Sequence, residues 1–234
     1  VLEDRLRKDL ELLVIRCRYR ESLADDLGTT SKIRYRPGIR VLFAGRSGTG
    51  KTLAVSWLAT KLGYPLHRVD LASVTSKYIG ETEKNLAQLL AVAERSDLML
   101  LFDEADSVFG KRTDVKGAND RWANAQTNYL LQRLEEYEGI VVMTSNSPSR
   151  FDPAFTRRLD VVLDFPIPSP EKRRKLWVRH LGDHHTLAPW QLNLLARHCN
   201  FAGGLIRNVA VTASVLANDE RKALDVNHLL RGLD

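Results

Sequence analysis

The sequence predicts an α/β fold: an αβα sandwich built on a five-stranded, mainly parallel sheet, followed by a small all-helical subdomain. Three observations carry this reading. Short apolar runs alternate with helical periods between residues 40 and 166. Those runs contain few polar letters, as expected of parallel strands covered on both faces. Beyond residue 169 helical patterns continue, but no strand signal recurs.

The elements follow in order. Residues 2–20 form an N-terminal helix, with Leu2, Leu6, Leu10 and Leu13 on one side. RVLFA (40–44) is the first strand, and the helix over 52–62 is closed by Gly63 and Pro65. PLHRVD (65–70) is the second strand. In the helix over 82–95, Leu86, Leu89, Leu90 and Ala93 share one face. LMLLFD (98–103) is the third strand, a helix covers about 122–137, and GIVVMTS (139–145) and VVLDF (161–165) complete the sheet. Ser169-Pro170-Glu171 then supplies an N-cap, a proline at the first helical position and an acid in the first turn. Helices are expected over 170–181, 189–199, 203–217 and 225–231, with Ile206, Val209, Ala210 and Ala213 marking a buried face. The expected division is a large subdomain over 1–166 and a helical lid over 167–234.

Composition narrows the classes. The chain has 234 residues, 44% hydrophobic and 27% charged, which supports a packed core rather than a disordered or fibrous chain. There is room for one sizeable α/β core and a satellite, but not for two full domains of roughly 150 to 200 residues each. Cys17 and Cys199 have no neighbours at metal-ligand spacing, so neither a disulfide framework nor a structural zinc site is indicated, and a reducing cytoplasm suits the chain. No run reaches the roughly 18 apolar residues of a membrane span. The opening VLEDRLRKDLELL is too charged for a signal peptide, and a start at Val1 reads as a piece of something longer. The net charge of +6 leaves nucleic acid, an acidic protein and phosphate ligands all open. The basic run Lys172 to Lys175 reads as a solvated helix face, and His184-His185 as surface loop.

The strongest local signal is VLFAGRSGTGKT. It follows a strand and opens a helix, and Gly45-Arg46-Ser47-Gly48-Thr49-Gly50-Lys51-Thr52 matches G-x-x-x-x-G-K-[ST] at every fixed position. The glycines let backbone N–H groups curl around phosphate oxygens, and the helix N-terminus adds partial positive charge. Lys51 would reach the β- and γ-phosphates, while Thr52 would hold Mg²⁺. This is the phosphate loop of a P-loop NTPase.

Asp103-Glu104-Ala105-Asp106 spells the four letters that name a family of RNA helicases. Position says otherwise. Asp103 comes 52 residues after Lys51, at the end of an apolar strand where ligands of open α/β sheets collect. It can hold the metal, and Glu104 can accept a proton from an attacking water. Asp106 reads as an acid at a helix start. A helicase of that family needs two such domains, and Thr144-Ser145-Asn146 stands where it would carry Ser-Ala-Thr.

Together these motifs resemble the AAA+ ATPases, specifically the protein-remodelling branch, over nearly the whole chain. The resemblance implies further roles. Asn146 matches the polar sensor 1 that positions the lytic water. In FDPAFTRRLD, Arg157 and Arg158 match the arginine fingers that complete a neighbouring subunit's site. AGGLIRNVAVTA is similar to the sensor 2 region, with Gly203 and Gly204 near the nucleotide and Arg207 in reach of its phosphates. SKYIGETEKNL resembles the first pore loop, with Lys77, Tyr78 and Ile79 gripping a polypeptide. LLQRLEEYEG resembles the intersubunit signalling segment around Glu135. GKRTDVKGANDR (110–121) is either a second pore loop or an ordinary charged loop. The phrasing is also similar to bacterial AAA+ ATPases found with contractile injection systems.

Two features depart from the family. Its adenine-contacting Gly-Gly segment is not found upstream of the phosphate loop, and Arg46-Ser47 replaces two prolines. The implied cofactors are ATP and Mg²⁺. The implied assembly is a homo-oligomer, a hexameric ring acting on a protein substrate, with nucleic acid disfavoured and no membrane segment in this chain. An assembly switch that never threads its substrate, and a nucleic-acid-associated loader, remain the alternatives.

Overall fold

The computed structural model describes residues 1–70, 81–106, 129–147, 151 and 153–233. Its chain order is α1 (Asp4–Tyr19), α2 (Leu23–Asp26), α3 (Thr29–Arg34), β1 (Ile39–Ala44), α4 (Lys51–Leu62), β2 (Leu66–Val69), α5 (Glu81–Arg95) and β3 (Met99–Phe102). There follow α6 (129–136), then β4 (Ile140–Ser145), α7 (Pro153–Thr156), β5 (Val161–Asp164), α8 (Pro170–Leu181), α9 (Pro189–His198), α10 (Gly203–Asp219) and α11 (Val226–Arg231).

The five strands form one sheet in the order β2-β3-β4-β1-β5. Every pairing is parallel. Every residue of β3 and β4 is buried, whereas the edge strands β2 and β5 each expose two residues. That contrast is the expected one, because central strands of a parallel sheet are covered on both faces. The register pairs Leu101 with Val142, Phe102 with Met143, and Ala44 with Ser145, so β1, β3 and β4 end at one edge of the sheet. The residues after β3 and β4 therefore emerge at that edge, where ligands of such sheets bind.

The chain divides into two compact units. The sheet unit comprises Lys8–Ala44 and Lys51–Asp164. In it Leu86, Leu90, Phe102, Val141, Met143 and Phe155 belong to one buried cluster. Helix α4 buries Lys51, Ala54, Val55, Leu58 and Ala59, the stripe that a period of 3.6 residues predicts. Gly63, at φ 77°, closes it and donates its N–H to the Ala59 carbonyl at 2.9 Å.

The second unit comprises Val1–Arg7, Gly45–Gly50 and Phe165–Asp234. Helices α8, α9, α10 and α11 surround Trp177, Leu192, Ile206, Val209 and Leu229. Ser169 caps α8, accepting from the Lys172 N–H, as its sequence anticipates. Arg173 is buried there, and donates to Pro168 O at 2.6 Å, Ala196 O at 2.8 Å and Asn200 Oδ1 at 2.9 Å. Three acceptors compensate a charge that burial would otherwise make costly.

Helices α2, α3 and α7 are absent from the sequence reading. Each is a turn or so long, too short for an apolar period to register. The first part of the helix expected over 122–137 lies outside the described residues.

Candidate functional site

In the sheet unit the predicted residues converge at the C-terminal edge. Lys51 opens α4 and is buried. Its Nζ donates to Asn146 Oδ1 at 2.9 Å, just beyond the end of β4. An ammonium only donates, so the oxygen of the Asn146 amide is the atom that faces Lys51, and its two N–H donors are not used in this contact. Burial holds the Lys51 ammonium below its ordinary value, while Asp103, Asp106 and Glu104 pull it back up. The lysine is thus a desolvated cation facing three carboxylates.

Asp103 and Glu104 follow β3 and are pinned by Thr144, a residue to which the sequence assigns no role at the site. The buried Thr144 hydroxyl donates to Asp103 Oδ1 at 2.5 Å and accepts the Glu104 N–H at 3.0 Å. The Thr144 carbonyl accepts the Ala105 N–H at 2.9 Å. Three bonds from one residue fix the turn. Glu104 itself sits at φ 54°, in the left-handed region that non-glycine residues seldom adopt. Its side chain is exposed, so the backbone is held in a costly conformation while the carboxylate stays accessible. The other Asp103 oxygen, Oδ2, lies 2.9 Å from Nη2 of Arg68 on β2.

The oxygen donors suit a small hard cation such as Mg²⁺. Asp103 supplies a carboxylate and Thr52, exposed on the first turn of α4, supplies a hydroxyl. Among the described residues Asp106 Oδ1 is buried without a hydrogen-bond partner. Among the described residues no group of three or more His, Cys, Asp or Glu is arranged as a separate metal centre.

The phosphate loop Gly45–Gly50 lies in the second unit. Gly45, Gly48 and Gly50 have φ of 151°, 77° and 98°, backbone that L side chains rarely adopt. Thr49 Oγ1 closes the loop by donating to Arg46 O at 2.8 Å, while Arg46 and Ser47 are exposed. The Gly204 N–H donates to the Gly48 carbonyl at 2.8 Å, which ties the loop to the start of α10. A Cβ at Gly204 would come within 2.9 Å of Gly48 Cα, and one at Gly203 would meet only ordinary contacts. Arg207 is exposed on α10. Burial, and then the Arg207 charge, hold His180 below its ordinary value.

Arg157 and Arg158 follow α7, which is anchored by Phe155 stacked on Phe151 at 4.7 Å. Both arginines are exposed. Arg158 Nε lies 2.5 Å from Glu135 Oε1, whereas Arg157 has no side-chain partner among the described residues. Asp160 steadies the segment, accepting from Arg40 N at 2.9 Å and Arg40 Nε at 2.8 Å, with Arg16 on its other oxygen at 3.2 Å. Lys77, Tyr78 and Ile79, and the segment 110–121, lie outside the described residues.

Residues 41–167 match the family described as ATPases associated with various cellular activities (AAA). The 26S proteasome regulatory subunit 7 of Dictyostelium discoideum is 30% identical over 203 residues, covering 83% of this chain and 47% of that protein. A proteasome-activating nucleotidase of Methanothermobacter thermautotrophicus is 29% identical over 213 residues, covering 87% of this chain and 52% of that protein. The chain therefore spans about half the length of these curated relatives. A crystal structure of the FIGL-1 AAA domain superposes with a TM-score of 0.72 at 21% identity, over 98% of this chain and 79% of that one. Its complex with ADP gives 0.65 at 22% identity, over 82% and 70%. At such identities the structures speak for the fold. None of these relatives' names refers to a contractile injection system.

Proposed function

The chain belongs to the AAA family of ATPases, and from that premise we propose that it hydrolyses ATP with Mg²⁺ and uses the cycle to remodel a protein substrate. The observation that carries this reading is the cluster at the sheet edge: buried Lys51 on Asn146, with Asp103 and Glu104 both fixed by Thr144.

Each residue has a task that its setting suits. Residues 45–50 offer backbone N–H groups to phosphate oxygens, and Lys51 donates to the β- and γ-phosphates. Thr52 and Asp103 would hold Mg²⁺, which supplies neutralisation of phosphate charge. The exposed carboxylate of Glu104 takes the proton of the attacking water, and the N–H donors of Asn146 orient that water. Arg207 reaches the phosphates from α10, beside Gly203 and Gly204 at the helix start. Arg157 and Arg158 serve the site of a neighbouring subunit, which makes assembly into a ring, a hexamer by resemblance, a condition of activity. Lys77, Tyr78 and Ile79 grip the polypeptide substrate in the pore. Residues 1–166 act as the nucleotide-binding subdomain and 167–234 as its lid. Among the described residues no helix is long and apolar enough to cross a membrane. The unpaired thiols of Cys17 and Cys199 suit action in the cytoplasm.

Glu104→Gln tests the assignment, because it removes the base while leaving the phosphate contacts. The expected result is retained ATP binding, hydrolysis lowered at least about a hundredfold, and rings with density in the pore by electron microscopy with ATP. Near-normal turnover would remove Glu104 as the base. Tyr78→Ala in the otherwise native chain should then abolish substrate processing; unchanged processing would favour an assembly switch that never threads its substrate.

A further inference from the structure

Among the described residues, two side chains of opposite character hold the Asp103 carboxylate. Thr144 holds Oδ1 from inside the sheet, where it is 1% exposed. Arg68 holds Oδ2 from outside, its side chain 69% exposed against 15% for Asp103. β2 is an edge strand whose register sets Arg68 beside Leu101, two residues before Asp103 on the same face of β3. Nothing among the described contacts anchors Arg68 except this carboxylate. The inner bond is therefore part of the fold, and the outer one is exchangeable.

The local charge gives Arg68 a reason to be there. Lys51 faces Asp103, Asp106 and Glu104, so one buried cation stands against three carboxylates. A guanidinium on Oδ2 reduces that excess from the solvent-exposed edge strand. A dication recruited to Asp103 must contend with the same oxygen. We infer that Arg68 is a resident counter-cation of the metal-holding aspartate, which Mg²⁺ has to displace, so that Arg68 sets how much magnesium nucleotide binding requires. This rests on the ATP and Mg²⁺ reading given above. It assigns Arg68 a positioning role, with no part in the chemical step.

The size of the effect follows from exposure. A half-solvated ion pair is worth little, and losing it corresponds to about a two- to fivefold change in an equilibrium constant. The test measures binding, not turnover. A fluorescent, non-hydrolysable ATP analogue is bound to the full chain in EDTA and then titrated with MgCl₂, following anisotropy. Arg68→Gln should lower the half-saturating magnesium about two- to fivefold at low salt, and the difference should shrink toward nothing near 0.5 M NaCl. Arg68→Lys, which keeps the charge, should stay close to the parent. Metal-free affinity for the analogue should be the same in all three proteins. An unchanged or higher magnesium requirement in Arg68→Gln overturns the inference. So does a loss of metal-free affinity, which would place Arg68 on the nucleotide itself. If the parent chain binds the analogue with no response to magnesium, the metal reading of Asp103 fails first and this inference with it.

Discussion

Thr144 is the most exacting place to perturb the site, because one hydroxyl serves two groups of the turn after β3 at once. Replacement by valine keeps the shape and the β-branch that suits β4, and removes only the oxygen. Asp103 Oδ1 then loses a donor at 2.5 Å, and the Glu104 N–H loses its acceptor at 3.0 Å. A hydrogen bond to a charged acceptor contributes roughly 1.5–3 kcal/mol, and a buried N–H left unsatisfied costs about 1–3 kcal/mol. The two losses share one atom and do not simply add, so a destabilisation of about 2–4 kcal/mol is expected. For a chain of this length that lowers Tm by roughly 5–15 °C. Glu104 is held at φ 54° against its own preference, so freeing its N–H lets the turn relax and moves the carboxylate. Hydrolysis should fall about ten- to a hundredfold, as expected of a displacement near 1 Å, while nucleotide affinity changes little. Thr144→Ser keeps the hydroxyl and should recover most of the rate. Differential scanning calorimetry and a phosphate-release assay read both effects. A valine variant with parental Tm and parental turnover would refute the claim that this hydroxyl organises the turn.

Other expectations test the remaining parts of the chain. Gly204→Ala places a Cβ 2.9 Å from Gly48 Cα, backbone that cannot swing aside, so it should weaken ATP binding by more than Gly203→Ala does in equilibrium titration; equal effects would detach Gly204 from the loop. Arg157 has no side-chain partner among the described residues, where Arg158 is tied to Glu135, so Arg157→Ala should lower hydrolysis at least about a hundredfold with nucleotide affinity unchanged. Mixing it with Lys51→Ala should restore some activity through mixed interfaces, and a mixture as inert as its components would argue against action between subunits. Burial pushes the Cys17 thiol up to about 12, against an ordinary value of 9.0. Its protonated form is favoured in the native state, so stability from this group holds below pH 9 and declines between pH 9 and 12. Iodoacetamide at pH 8 should therefore modify the half-buried Cys199 well before Cys17, as mass spectrometry would show; equal labelling would contradict the burial of Cys17.

How much of this was legible in the sequence depended on whether the signal was contiguous. All five strands lie within a residue or two of the runs at 40–44, 65–70, 98–103, 139–145 and 161–165, most plainly for the central β3 and β4, where a strand buried on both faces has to be written in apolar letters. The helices after Ser169 announced themselves through caps and a repeating buried face. Gly45 to Thr52 and Asp103-Glu104 were legible for the same reason, since each is one uninterrupted stretch. Thr144 was read only as the first letter of Thr144-Ser145-Asn146. Its hold on Asp103 spans 41 positions and exists only through the β3–β4 register. The Arg68–Asp103 and Arg158–Glu135 pairs were invisible likewise. Charged residues on strands and helices are common, and only the fold decides which of them meet.

Asp103 is where these hidden contacts meet, and the two that touch it should not act independently. Thr144 fixes the rotation of the carboxylate by holding Oδ1, and that rotation is what presents Oδ2 to Arg68. Remove the hydroxyl and the carboxylate turns freely, so the ion pair with Arg68 loses its fixed geometry and much of its worth. Arg68→Gln should therefore lower the magnesium requirement less in a Thr144→Val background than in the parent chain. Residues sharing a partner commonly couple by about 0.5–3 kcal/mol, but an exposed pair can lose no more than it contributes, so the difference should be about twofold or more in the magnesium midpoint. A double variant whose midpoint is the product of the two single effects would mean that Arg68 and Thr144 address Asp103 separately. The carboxylate would then be oriented by something other than β4.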